Sequence, residues 1–122
     1  MTTNEIAATF KLPGEQRLAQ FVEAVRAGNS AYGISDEEGW ALLGDNDDTD
    51  ILPLFQNAAL AEAFRAAAGF EGNEVEEIGM EELLEWLAEM DEDGTLVAVC
   101  PNARMEGAVV EPSYLAAELQ KN

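Results

Sequence analysis

The chain holds 25 aspartates and glutamates, one cysteine and no histidine, and that inventory bounds its chemistry. Without histidine it lacks the commonest general base, the serine–histidine and cysteine–histidine pairs, and most zinc-ligand sets. The one cysteine, Cys100, closes the apolar run Leu96-Val97-Ala98-Val99-Cys100 just before Pro101, and reads as a buried strand residue. A reactive thiol needs a cation to hold the thiolate, and Arg104 is the one close by in sequence. A single cysteine also excludes an intramolecular disulfide. The glycines are scattered at turn positions, and none precedes a Lys-Ser or Lys-Thr pair, so there is no phosphate loop.

Carboxylates remain. Two acidic clusters have the density of carboxylates that a calcium loop needs. Counting from Asp45, the alternate positions are Asp45, Asp47 and Thr49, but the loop glycine falls on Asp50 and the bidentate glutamate on Gln56. Asp91-Glu92-Asp93-Gly94 brings its glycine too early, between a helical and a strand-like segment. Both read as solvated turns, although the 45–50 loop could hold a divalent cation weakly. Asp36, Glu37 and Glu38 adjoin Tyr32 and Trp40, yet paired acids do acid–base work only where a pocket drives their pKa values apart. The expectation is a protein that is not an enzyme, with no cofactor and no dedicated metal site.

The formal charge of −19 is the strongest compositional signal. A field of that sign repels nucleic-acid phosphates and anionic lipid, so neither nucleic acid nor a membrane is an expected partner. It favours a basic protein. The glutamate-rich band from Glu71 to Glu92 is at its plainest the wet face of a helix. Read more sharply, it is a docking surface, with Trp40, Glu81, Glu82, Glu85, Trp86 and Glu89 as the candidate partner-binding residues.

The elements that must position these residues follow from periodicity and punctuation. Hydrophobic residues make up 48% of the 122, enough for a core, and no apolar run approaches the roughly 20 residues that span a bilayer. The N-terminus lacks the pattern of a signal peptide, so a cytoplasmic location is expected. Residues 1–14 read as a weakly ordered arm or short turn of helix, and 15–122 as a single α+β domain. Leu18, Phe21, Val22 and Val25 mark one face of a helix over Glu15–Ala27, ended by Gly28-Asn29. Two short runs around Asp36–Glu38 predict a hairpin, with Tyr32 and Trp40 as neighbours across it. The hub is Asp50–Gly69. In it a strand interrupted by Pro53, and so placed at a sheet edge or beginning only after Pro53, turns through Asn57 into a helix with Leu60, Phe64 and Ala68 at a spacing of four, and Gly69 ends that helix. A strand over Glu74–Ile78 precedes a helix with the stripe Met80, Leu83, Leu84, Leu87 and Met90 and with Trp86 at its margin. Thr95–Cys100 is the most strand-like run. A last strand over Gly107–Val110 and a helix opened by Pro112, carrying Tyr114, Leu115 and Leu119, complete the chain.

Several of these landmarks, in this order, resemble a bacterial family known as domain of unknown function 2750. They are Arg17, Phe21 and Val25, the Tyr32-bearing strand, Gly39-Trp40, and Leu52-Pro53-Leu54-Phe55 with Ala61 in the helix after it. Gly69-Phe70-Glu71, Ile78, Leu84-Glu85-Trp86-Leu87, Asp93-Gly94 and the Val97–Pro101 strand follow. The likeness runs from about Gln16 to Gln120. A looser one is to the N-terminal domain of SseB-like proteins, where a Pro-x-Phe strand end also enters a helix. These are packing and turn residues, and the resemblance implies a fold without supplying a catalytic residue.

The fold expected is therefore α+β, one mixed and mainly antiparallel sheet with about four helices packed on it. The function expected is a non-catalytic protein-interaction module. A homodimer through the sheet edge near Pro53 is one arrangement open to it, and an immunity-like neutraliser of a basic toxin is a specific form of it. The alternative is a small-ligand or divalent-metal sensor, with a pocket beneath Tyr32 and Trp40 or a site in the 45–50 loop.

Overall fold

The computed structural model describes residues 2–36, 39–40, 43–44, 50–69, 73–102 and 108–120. Local signals at helix ends explain most of the element boundaries. Thr2 caps helix α1 (Thr3–Lys11) by accepting from the Glu5 backbone N–H, while the Glu5 carboxylate accepts from the Thr2 N–H, a capping box. The sequence reading of residues 1–14 as an arm or short turn is thus replaced by a capped helix of 9 residues, with Ile6 and Phe10 packed on the core. Helix α2 (Gly14–Gly28) ends where Asn29 turns left-handed at φ 62° and its N–H bonds to the Val25 carbonyl. Strands β1 (Ser30–Asp36) and β2 (Gly39–Trp40) form the expected hairpin, followed by β3 (Leu43–Gly44) and β4 (Asp50–Leu54). Asn57 then caps helix α3 (Ala58–Ala68) by accepting from the Leu60 N–H at 2.9 Å, and Gly69 ends it at φ 86°. Strand β5 (Glu74–Gly79) leads directly into helix α4 (Met80–Asp93), and β6 (Leu96–Val99), β7 (Ala108–Val110) and α5 (Pro112–Leu119) complete the order. Pro112 opens α5, where a missing N–H costs nothing.

The fold is α+β. Where a single sheet with about four helices was expected, the described residues form five helices and two sheets, in the orders β2-β1-β5 and β3-β4-β6-β7. All strand pairs are antiparallel except β4 with β6, which run parallel. The sheets are stitched at one bridge, where Tyr32 and Phe55 exchange two backbone hydrogen bonds of 2.9 Å. That bridge lies where β4 is about to turn into the Asn57 cap, so the pairing does not extend. The separation into two sheets follows.

Pro53 lies within β4, opposite Ala98 of β6. The Leu54 carbonyl accepts from the Cys100 N–H on the β6 side, so by strand alternation the Pro53 nitrogen points the other way. On that side β3 pairs only with Asp50 and Ile51, and the Tyr32 bridge begins at Phe55. The proline occupies a local edge inside an otherwise paired strand.

The core gathers Phe21 and Val25 of α2, Ile34, Leu54, Phe55, Leu60, Phe64, Ile78, Leu83 and Leu87 of α4, Val97, Val99 and Leu115. Phe55 and Phe64 bind the hub together with ring centroids 5.3 Å apart at 42°. Contacts of that kind contribute about 1 kcal/mol beyond the apolar area they bury. Among the described residues no helix is long and apolar enough to cross a membrane.

Candidate functional site

Helix α4 buries Leu83 and Leu87, packs the half-buried Met80, Leu84, Trp86 and Met90 on the core, and turns its glutamates to water. Glu81, Glu85 and Glu89 recur at a spacing of four and lie in one row, Glu82 stands beside them, and all four are exposed. Exposed carboxylates also precede the helix on β5, with Glu74 and Glu76 on one face of the strand and Glu77 on the other, and fill its last turn as Asp91, Glu92 and Asp93. No lysine or arginine lies between Arg65 and Arg104 in the sequence. Arg65 pairs with Glu62 at 2.9 Å, within α3. Glu77 is engaged locally, accepting from Ser30 Oγ and Tyr32 Oη across the β1–β5 ladder, each at 3.0 Å. Carboxylates in the last turn of α4 also stand against the negative end of the helix dipole.

Trp86 does not stand free over this face. It is half-buried and packed on the core. Trp40 pairs with Ser35, three residues from Tyr32, so the expected Tyr32–Trp40 neighbourhood is not formed. The two-residue connection after Asp36 sets that register, and residues an odd number apart on β1 face opposite sides of the sheet. Tyr32 lies instead between Glu77 on one side and Phe55 on the other. The Trp40 side chain, Glu37-Glu38, the acidic residues 45–49, Phe70-Glu71 and Arg104 lie outside what the structure describes. Among the described residues no group of three or more His, Cys, Asp or Glu is arranged to hold a metal ion.

A second feature has no counterpart in the sequence reading. Helix α5 packs between α4 and α2, and an open groove of about 680 Å³ runs between α2 and α5. Its floor holds the half-buried Leu18 and Val22 and exposed Ala19, and Tyr114 of α5, 49% exposed, forms one wall. Glu15, Glu23, Arg26 and Glu118 make up the polar rim.

A third feature, at the junction of α2 with β6, is built around Arg17. This side chain is 5% exposed; its Nε donates to the Leu12 carbonyl at 3.0 Å and its Nη1 to the Cys100 carbonyl at 2.9 Å. Cys100 itself turns left-handed at φ 48°, a conformation that costs a non-glycine residue roughly 1–2 kcal/mol. Its backbone is pinned at both ends, the N–H to Leu54 and the carbonyl to Arg17. Burial pushes the Cys100 thiol up from 9.0 to about 12, with the Arg17 charge pulling the other way. The cysteine is the buried residue the apolar run predicted, and at neutral pH its sulfur is a thiol, not a nucleophilic thiolate. A cation beside it is Arg17, which the fold brings from 83 residues away.

Comparison with known proteins gives one family. The model of a family described as protein of unknown function DUF2750 matches residues 18–119, most of the chain, and says nothing of the looser SseB-like likeness. No curated protein and no solved structure matches. The chain belongs to the DUF2750 family.

Proposed function

We propose that this member of the family is a non-catalytic protein-interaction module that docks a basic protein on the carboxylate surface of β5 and α4. The observation that carries the reading is the uninterrupted sign of that surface: every acidic residue described from Glu74 to Asp93 is exposed, and no basic residue lies among them. A row of like charges at a spacing of four weakens an isolated helix by about 0.2–0.5 kcal/mol per pair, and a cationic partner would turn that repulsion into attraction. The absence of histidine and the protonated state of Cys100 support the non-catalytic part of the reading. Binding carried by such a surface is steered by long-range attraction and weakens as salt shortens the Debye length.

The experiment is an affinity capture from a lysate of the source organism, washed at low and then high salt, with bound proteins identified by mass spectrometry. The expected result is a basic protein retained at low salt, released at high salt, and lost from the Glu81→Lys/Glu85→Lys double variant. Retention of that protein by the double variant would overturn the reading, as would capture of no basic protein at low salt.

A further inference from the structure

We propose that the groove between α2 and α5 seats one amphipathic helix of a partner protein, apolar along its inner face and basic along its flanks. The groove-lining residues of α2 are Glu15, Leu18, Ala19, Val22, Glu23, Arg26 and Ala27. Their spacing of three and four, sustained across the helix, describes a continuous stripe rather than a patch. At about 1.5 Å per residue that stripe is about 18 Å long, the length of a helical segment of some three turns. This face of α2 is not the one that builds the core. Phe21 and Val25 point inward, while Leu18 and Val22 are left half-buried along the groove.

The floor and the rim ask for different chemistry. Leu18, Ala19, Val22 and the Tyr114 ring offer apolar contact of the kind that takes leucine-like side chains at helical spacing. Glu15 and Glu23 of α2 and Glu118 of α5 stand on the rim with Arg26 as the single cation, so the rim favours lysine or arginine on the flanks of the incoming helix. A second copy of this chain is a poor occupant, because it would bring a net charge of −19 against a net charge of −19. The inference rests on the reading of the protein as a module for basic partners. It adds where a helical segment of that partner sits and what its sequence must look like.

The test uses the full chain and a fluorescein-labelled designed peptide about four turns long, with leucine on one face and lysine on the flanks. A scrambled peptide of identical composition serves as the charge control, and both are titrated by fluorescence anisotropy. The designed helix is expected to bind at least about tenfold more tightly than the scramble, since only it can present apolar side chains to the floor. Ala19→Lys, at an exposed helix position that leaves the core untouched, is expected to weaken the designed peptide about tenfold by blocking the floor and reversing local charge. Tyr114→Ala should weaken it severalfold, with circular dichroism confirming that both variants are folded. Equal binding of designed and scrambled peptides would overturn the inference, as would unchanged affinity in folded Ala19→Lys and Tyr114→Ala. If binding is instead abolished only by Glu81→Lys/Glu85→Lys, the groove assignment falls while the acidic-surface reading stands. Lysate capture of no basic protein overturns that reading whatever the peptide does.

Discussion

Helices α2 and α4 have nearly the same length, and each buries a short apolar row, yet they use charge in opposite ways. Helix α2 takes a cation inside: Arg17 is folded into the junction with β6 and satisfied by carbonyls from Leu12 and Cys100. Helix α4 keeps every charge outside, all of one sign, with no base in the helix. A buried charge is an all-or-none structural commitment, because losing it strands the groups that were bonded to it. A surface row of like charges costs little per residue and can be edited one position at a time. The difference teaches that the tolerance of this chain for change lies on α4 and its intolerance at one arginine of α2.

The largest expected effect breaks the comparison at α2. Arg17→Met should lower stability by about 3 kcal/mol, two charge-assisted hydrogen bonds at roughly 1.5 kcal/mol each, read by urea unfolding at neutral pH. A loss below about 0.5 kcal/mol would mean that Arg17 behaves like a surface charge and that the contrast with α4 is false.

A smaller effect sharpens the same junction through pH. Cys100 has its pKa raised in the folded protein, so between 9.0 and about 12 the native chain keeps a proton that the unfolded chain has released. Stability from this group is therefore complete below pH 9.0 and is lost as pH rises toward 12, with a limiting slope of about 1.4 kcal/mol per pH unit. The difference between the parent and Cys100→Ala in urea titrations should shrink over that window. A difference constant from pH 8 to 11 would show that the thiol does not titrate late.

The smallest effect belongs to α4 and has the opposite sign. Glu85→Lys converts three repulsive spacings, to Glu81, Glu82 and Glu89, into attractive ones, and should raise stability by about 1 kcal/mol. Added salt should stabilise the parent more than this variant, because screening relieves a repulsion that the variant no longer has. Thermal melts at low and high salt read both. A destabilised Glu85→Lys would show that the carboxylate row is held by contacts other than its own repulsion.

Local signals in the sequence carried much of the fold. Asn57 and Gly69 bracket α3, Pro112 opens α5, and the four-residue spacing of α4 places Leu83 and Leu87 inward, all as their residue types demand. The α4 glutamates were equally legible as an exposed row. What was not legible depends on register and on distant partners. Whether β1 and β4 share one sheet is decided at the single Tyr32–Phe55 bridge, and no residue type announces such a stop. Trp40 and Tyr32 are close in sequence, yet the hairpin register sets them on different rungs. Arg17 could be named as a family landmark beside Phe21 and Val25 but its role could not be read, because the carbonyl that accepts from it belongs to residue 100. The Thr2–Glu5 capping box was a readable sign of α1 that the reading of residues 1–14 as an arm or short turn did not use. The α2–α5 groove needed both helices in place before half-buried Leu18 and Val22 could be told apart from core residues.

The parallel pairing of β4 with β6 also has a kinetic consequence. Its partners, Ile51–Leu54 and Leu96–Val99, are about 45 residues apart, and a parallel pair cannot be zipped from a tight turn. The chain between them must be gathered before the first rung forms, at an entropic cost that local helix formation does not offset. The same rungs bring Cys100 to Leu54 and then to Arg17, so the buried cation is lodged only after that closure. Refolding should be limited by a late, long-range step, with the edge of β4 exposed until it occurs.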